Sequence, residues 1–243
     1  MAELIKLKSA ARTSEVNSVT SGMISEYSKK DWSSDAYLTN LFTELQMLDA
    51  NLTVAVNRIK AESDLEDKDA TRDELIRSIN YVILGFLHSP DPTFKSAAEK
   101  VYSVFEHYGF NITTENYESE STLVKSLLLD LSKEELQSSI AVLPSLGTSI
   151  SRLRSAQTEF EVAQLVFQNE KAAQGNLESA SEIKKKIIPL INEKLFFYLR
   201  AMNLADPAKY CEFTSNITQI IVDVNQKVKV RTKPGAATTT KNE

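Results

Sequence analysis

The sequence predicts an all-α protein, a bundle of about eight helices built from two tandem four-helix repeats with pseudo-two-fold symmetry. Three observations predict it. Apolar residues recur at every third or fourth position over most of the chain, the spacing that lines them up on one face of a helix. Only six glycines interrupt 243 residues, few for the tight turns of large sheets. The punctuation between stripes also recurs: Asp91-Pro92 is matched by Asp206-Pro207, Thr71 with Glu74 by Ser179 with Glu182, and Ser28-Lys29-Lys30-Asp31 by Ser132-Lys133-Glu134-Glu135. Repeat A is placed at about 14–110 and repeat B at about 118–225 of a single domain over 1–225, with a basic, disordered tail at 226–243.

Taken in order, Glu3 to Leu7 reads as a short extended segment. A helix follows over about Ser14 to Lys29, with Val19, Met23, Ile24 and Tyr27 on its stripe. Ser33-Ser34-Asp35 offers N-caps to a long helix carrying Leu38, Leu41, Phe42, Leu45, Leu48, Leu52, Ala55 and Ile59. The charged run from Glu62 to Asp69 reads as a solvated turn that ends it; the run contains no glycine for the sharp bend of a calcium loop. Thr71 and Glu74 then predict a capping box and a new helix from about Arg72, with Leu75, Ile76, Ile79, Val82, Ile83, Phe86 and Leu87 on one face. Pro90 disfavours helical geometry in the residue before it and so stops this helix, while Asp91 caps the next and Pro92 occupies its first position. Phe94, Ala97, Ala98, Val101, Tyr102, Phe105 and Tyr108 make that helix's stripe, ended by Gly109.

Gly109 to Glu120 is expected to join the repeats, with Asn111 to Thr114 extended. Leu123, Leu127, Leu128 and Leu131 precede a helix from Lys133 that Pro144 and Gly147 should break. The next helix carries Leu146, Ile150, Leu153, Gln157, Phe160, Gln164 and Phe167, a heptad-like seam whose two glutamines read as partly exposed rather than as a buried polar layer. Ser179 and Glu182 cap a helix with Ile183, Ile187, Ile191, Leu195, Tyr198, Leu199 and Met202, and Pro189 inside it predicts a kink or a late start. Tyr210, Phe213, Ile217, Ile220, Ile221 and Val224 complete the pattern.

The net charge of −5 conceals an asymmetry. Residues 226–243 hold five basic residues against Glu243, a net +4, which leaves −9 on residues 1–225. An acidic body argues against a nucleic-acid footprint on the folded domain and leaves the tail as the one basic element. The single cysteine, Cys211, excludes an intramolecular disulfide. No stretch approaches the roughly 18 apolar residues of a membrane span, and Met1 to Glu15 lacks a signal-peptide pattern, so a soluble cytoplasmic protein is expected.

Chemistry is sparse. Di-metal bundles use Glu-x-x-His pairs, but the residues three before His88 and His107 are Gly85 and Val104. Both histidines read as partners of helix C-termini. Cys211 reads as a small packing residue, since no base is placed beside it by sequence. Phosphate-cradling loops and nucleophile elbows are absent, so no catalytic, cofactor-binding or metal-ligating residue is nominated and no cofactor is expected. Lys184-Lys185-Lys186 opposes the dipole in the first turns of its helix and reads as a solvated face, with an anion or partner contact as the alternative. The aromatic residues around Phe86, Phe105, Tyr198 and Phe213 read as core, with an apolar ligand pocket between the repeats as the alternative.

Leu7, then Arg12-Thr13-Ser14-Glu15, and the doubled helical pattern with Asp-Pro helix starts resemble an uncharacterised all-helical family found mostly in gut Bacteroidetes, over about residues 4–225. The resemblance implies the helical fold and carries no activity, catalytic residue or cofactor. The expected function is that of a non-catalytic interaction or scaffold module, acting on a protein partner or as a homo-oligomer. A ligand binder or enzyme with a pocket between the repeats, and a nucleic-acid accessory protein acting through the tail, are the alternatives.

Overall fold

The computed structural model describes residues 4–232, and every regular element among them is helical. The order is α1 (Thr13–Tyr27), α2 (Ala36–Leu87), α3 (Pro92–Tyr108), a 3-10 turn (Phe110–Thr114), α4 (Tyr117–Asp130), α5 (Glu134–Val142), α6 (Leu146–Gln174), α7 (Ala180–Pro189), a π turn (Leu190–Leu195), α8 (Phe196–Ala205) and α9 (Pro207–Thr232). Because α7, the π turn and α8 follow without a break, the described residues form eight rods. The predicted all-α bundle is what the chain adopts.

Several predicted junctions form as read. Asp91 accepts from the Thr93 N–H with Pro92 at the first helical position, Gly109 ends α3 at φ +70°, and Ser179 and Glu182 make a reciprocal capping box. The turn at 62–69 does not form. α2 runs straight through it for 52 residues, and the Thr71 hydroxyl donates to the Asp67 carbonyl one turn back instead of capping a new helix. The run holds no proline or glycine, and a buried stripe of Ala61, Leu65, Arg72, Ile76, Ile79 and Ile83 carries on through the charges. Residues 111–114 form a 3-10 turn where extended chain is expected. At Pro189 the ladder widens into the π turn. Ile183, Ile187, Ile191, Leu195 and Leu199 repeat every fourth residue, which outruns a 3.6-residue turn by about 40° per step, and the wider turn takes up the excess.

The chain divides into two compact units: one from the described residues up to Ile59 and from Ala172 onward, the other Lys60–Lys171. The division falls inside α2 and α6, and the segment Gly109 to Glu120 lies within the second unit. The first unit packs α1, the start of α2, α7, the π turn, α8 and α9 around Phe42, Leu45, Ile187, Leu199, Phe213 and Ile217. Its N-terminal segment is held by two amides. Asn192 accepts from the Leu7 N–H and donates to the Leu7 carbonyl, both at 2.8 Å, and Asn225 does the same for Lys8 N–H (3.0 Å) and Lys6 C=O (2.8 Å). α9 continues past Val224 with Val228 fully buried, so residues 226–232 are ordered helix rather than disordered tail; the rest of that expectation lies outside the described residues. The second unit packs the end of α2 with α3, α4, α5 and the start of α6 around Ile79, Ile83, Val101, Phe105, Leu127 and Leu153.

Candidate functional site

The second unit buries an ionic cluster. α2 presents Asp69, Arg72 and Asp73 on adjoining positions of one face, α4 brings Glu120 and Ser121, and α6 brings Gln157, Phe160 and Glu161. Arg72 is fully buried. One terminal nitrogen, Nη2, donates to Asp69 Oδ1 at 2.7 Å and lies 2.8 Å from Glu120 Oε2; the other, Nη1, donates to Ser121 Oγ at 3.0 Å and Gln157 Oε1 at 3.2 Å. Its guanidinium carbon stands 3.8 Å from the centre of the Phe160 ring, so a flat cation is stacked on an aromatic face while its terminal nitrogens reach polar partners and its Nε is buried without one. Gln157 passes the network on by donating to Glu161 Oε1 at 2.6 Å, which also meets Lys125 at 2.8 Å.

Charge is not balanced evenly around Arg72. Burial pushes the Glu120 carboxyl up to about 8; Arg72 offsets part of this, and the neighbouring Asp73 and Asp69 add to the rise. Burial likewise raises Asp69 against the pull of Arg72. Burial and the negative charges of Asp69 and Glu66 raise the Tyr117 hydroxyl. Glu161 moves the other way: burial opposes its charge, but Lys125 and Gln157 outweigh burial and lower it. One oxygen of Glu120, Oε1, and one of Asp73, Oδ1, are buried without a hydrogen-bond partner, while Asp73 Oδ2 holds Arg77 at 2.7 Å.

Oxygens of Asp69, Asp73 and Glu120 lie within 4.8 Å of one another, a spacing that a hard cation could bridge if the carboxylates stood alone. They do not fit one here. Arg72 Nη2 already lies against Asp69 and Glu120, and a fixed positive charge at that point repels a second.

The residues singled out by sequence lie elsewhere. His107 sits in the last turn of α3 with its ring edge on Tyr108, and His88 just beyond the end of α2; both belong to the second unit, whereas the half-buried Cys211 belongs to the first. Lys184 donates to the Ala11 carbonyl and Lys186 pairs with Glu178 at 2.5 Å, so two of the three lysines serve local contacts. An apolar cavity of about 10 Å³ among Leu4, Ile191, Leu195, Leu199 and Ile217 has room for about one water. Gln157 corrects the sequence reading: it is buried and belongs to a polar layer, while Gln164 is half-exposed as expected. Arg72 was missed as a site residue; its signal was its place on a stripe otherwise made of Ala61, Leu65, Ile76 and Ile79.

The outer side of α6 has a different character. Val162, Leu165 and Val166 are 61%, 59% and 46% exposed at positions i, i+3 and i+4. Leu129 on α4, 69% exposed, lines a groove of about 350 Å³ with Leu128, Thr158, Glu161, Lys125 and Arg154.

A family pattern described as a family of unknown function, DUF6261, matches residues 62–225. The chain belongs to that family. No curated protein and no solved structure matches the chain. The DUF6261 match opens inside α2, ten residues before Arg72, and takes in the whole buried cluster and the outer face of α6. Among the described residues, no helix is long and apolar enough to cross a membrane.

Proposed function

We propose that this DUF6261 protein is a non-catalytic, cytoplasmic interaction module that receives an amphipathic helix of a partner protein along the outer face of α6. The observation that carries this reading is the exposed triplet of Val162, Leu165 and Val166. Single exposed apolar residues are ordinary on a protein surface, but three on successive turns offer the narrow seam that a partner helix reads at i, i+3 and i+4. Leu129 and the groove beside it widen the seam toward α4, and Lys125, Arg154 and Glu161 give it a charged rim. The face is also well supported, since Gln157 and Phe160 tie the same helix from within to Arg72. A rigid face loses less conformational freedom on binding than a mobile one.

The test is photocrosslinking in cells. A photoreactive amino acid at position 162, 165 or 166 is expected to join the protein to one discrete partner, and Leu165→Lys placed beside a probe at 162 should abolish the adduct. The same probe at the exposed Gln168, outside the triplet, serves as the control. Adducts of equal yield at 168, or none at any of the three positions, would rule the reading out.

A further inference from the structure

We propose that Glu120 and Asp73 share a single proton in the folded protein at neutral pH, Glu120 Oε1 donating to Asp73 Oδ1, so that the second unit contains a buried proton site that opens under alkaline conditions. The two carboxyl groups are neighbours, with oxygens within 4.8 Å of one another. Each of these two side chains has one oxygen paired with an arginine, Glu120 Oε2 with Arg72 and Asp73 Oδ2 with Arg77. Each is left with one buried oxygen lacking a donor. Two ionised carboxylates can only accept, so neither can satisfy the other, and a buried unpartnered acceptor is costly. One proton turns the two orphaned acceptors into one donor and one acceptor and satisfies both.

The charge balance points the same way. The ionisable groups on the packed elements are Glu66, Asp69, Arg72, Asp73 and Arg77 on α2, Tyr117, Glu120 and Lys125 on α4, and Glu161 on α6. Lys125 neutralises Glu161, and Arg77 neutralises Asp73 at its outer oxygen. Arg72 alone then faces both the half-buried Asp69 and the fully buried Glu120, and one guanidinium cannot balance two anions. The elevated affinity of Glu120 for its proton agrees with this arrangement. Because the folded site holds the proton more tightly than the unfolded chain, its contribution to stability is complete below the ordinary glutamate value of 4.5 and is lost as pH rises through about 8.

The decisive measurement is the titration of the Glu120 side-chain carbonyl carbon by NMR on the full chain, assigned by its absence in Glu120→Gln. It is expected to titrate well above the normal glutamate range, and the assignment needs no destabilised variant. Asp73→Asn, which supplies an amide donor to Glu120, should move that titration down toward the normal range. Glu120→Gln imitates the protonated form, so its urea midpoint should stay level between pH 6 and 9. Over that range the unaltered protein's folding constant should fall by at least about tenfold, the equivalent of one unit of pKa. A Glu120 signal titrating near 4.5, or an equal pH slope in Glu120→Gln, would overturn the proposal. So would a Glu120 signal displaced at neutral pH by millimolar Mg²⁺ or Ca²⁺, which would assign the space to a cation instead.

Discussion

Arg72 and Glu120 meet at 2.8 Å with both side chains withdrawn from solvent, and the pair joins the second half of the longest helix to the first turn of α4. A buried guanidinium against a carboxyl group is weak evidence of net stabilisation, because taking charge out of water costs about as much as the contact returns. Breaking such a pair is another matter. Arg72→Ala strips Asp69, Ser121 and Gln157 of a donor together, takes the guanidinium away from Glu120 and leaves the Asp69 carboxylate without its countercharge. It should cost about 3–5 kcal/mol in urea unfolding. Arg77→Ala, at the half-exposed pair with Asp73, is the control and should cost less than about 1 kcal/mol.

That contrast explains what could and could not be read from the sequence. Helix phases, the Asp91-Pro92 and Ser179/Glu182 starts and the Gly109 stop follow from local rules, and local rules are written in neighbouring residues. The pairing of Arg72 with Glu120 and Gln157 spans 48 and 85 positions, and no neighbouring residue announces it. The error at 62–69 has the same origin. A charged run resembles a solvated turn when every charge is assumed to face water, but here the helix needs only one strip of itself buried, and Ala61, Leu65 and Arg72 provide it. The two matched capping signatures also diverge: Ser179 caps, whereas Thr71 sits inside a helix, because the chain before Ser179 contains Gly175 at φ +50° and the chain before Thr71 contains no such stop.

The paired amides of Asn192 and Asn225 lead to a second prediction. Each imitates one rung of a strand and holds the segment Lys6–Lys8 by main-chain hydrogen bonds, while Leu7 enters the core. Asn225→Ala should leave the Lys8 amide and the Lys6 carbonyl unpaired, costing about 1–3 kcal/mol. Hydrogen exchange read residue by residue should show the loss confined first to Leu7 and Lys8 and spreading to α1 only near the unfolding midpoint. Uniform loss of protection across the unit would contradict a local clamp.

Asp35 sets an acid limit. Burial disfavours its charge, but the hydroxyls of Tyr198 and Tyr210 and the Leu38 amide donate to it and outweigh burial, holding the carboxyl below its ordinary 3.8. A lowered native value contributes stability that is present above the unfolded value and disappears as pH falls through the native one. Asp35→Asn should therefore cost about 1–3 kcal/mol at pH 7, the worth of hydrogen bonds to a charged group, and the gap to the unaltered protein should narrow as pH drops below 4. Parallel unfolding curves from pH 7 to pH 3 would show that the carboxylate's charge is not what the two tyrosines recognise.

The C-terminal end of α9 separates a structural role from an electrostatic one. Residues 226–232 carry basic charge, which by composition alone suggests a solvated arm, yet Val228 is fully buried and Arg231 pairs with Glu15 at 2.5 Å while reaching the Ala10 carbonyl at 3.1 Å. The Glu15 carboxyl is lowered by that hydrogen bond from Arg231, against a smaller opposing effect of burial. Chain termination before Gln226 removes a buried apolar anchor and the partner of the first turn of α1 together, and should lower the melting temperature by several degrees through Val228 alone. Val228→Ala in the full chain should reproduce most of that loss. Charge reversal of Lys227, at an exposed position on the same turn, should leave the melting temperature within about a degree. A fold indifferent to Val228→Ala but sensitive to charge reversal at Lys227 would mean that the end of α9 is held by its charge rather than by its apolar side.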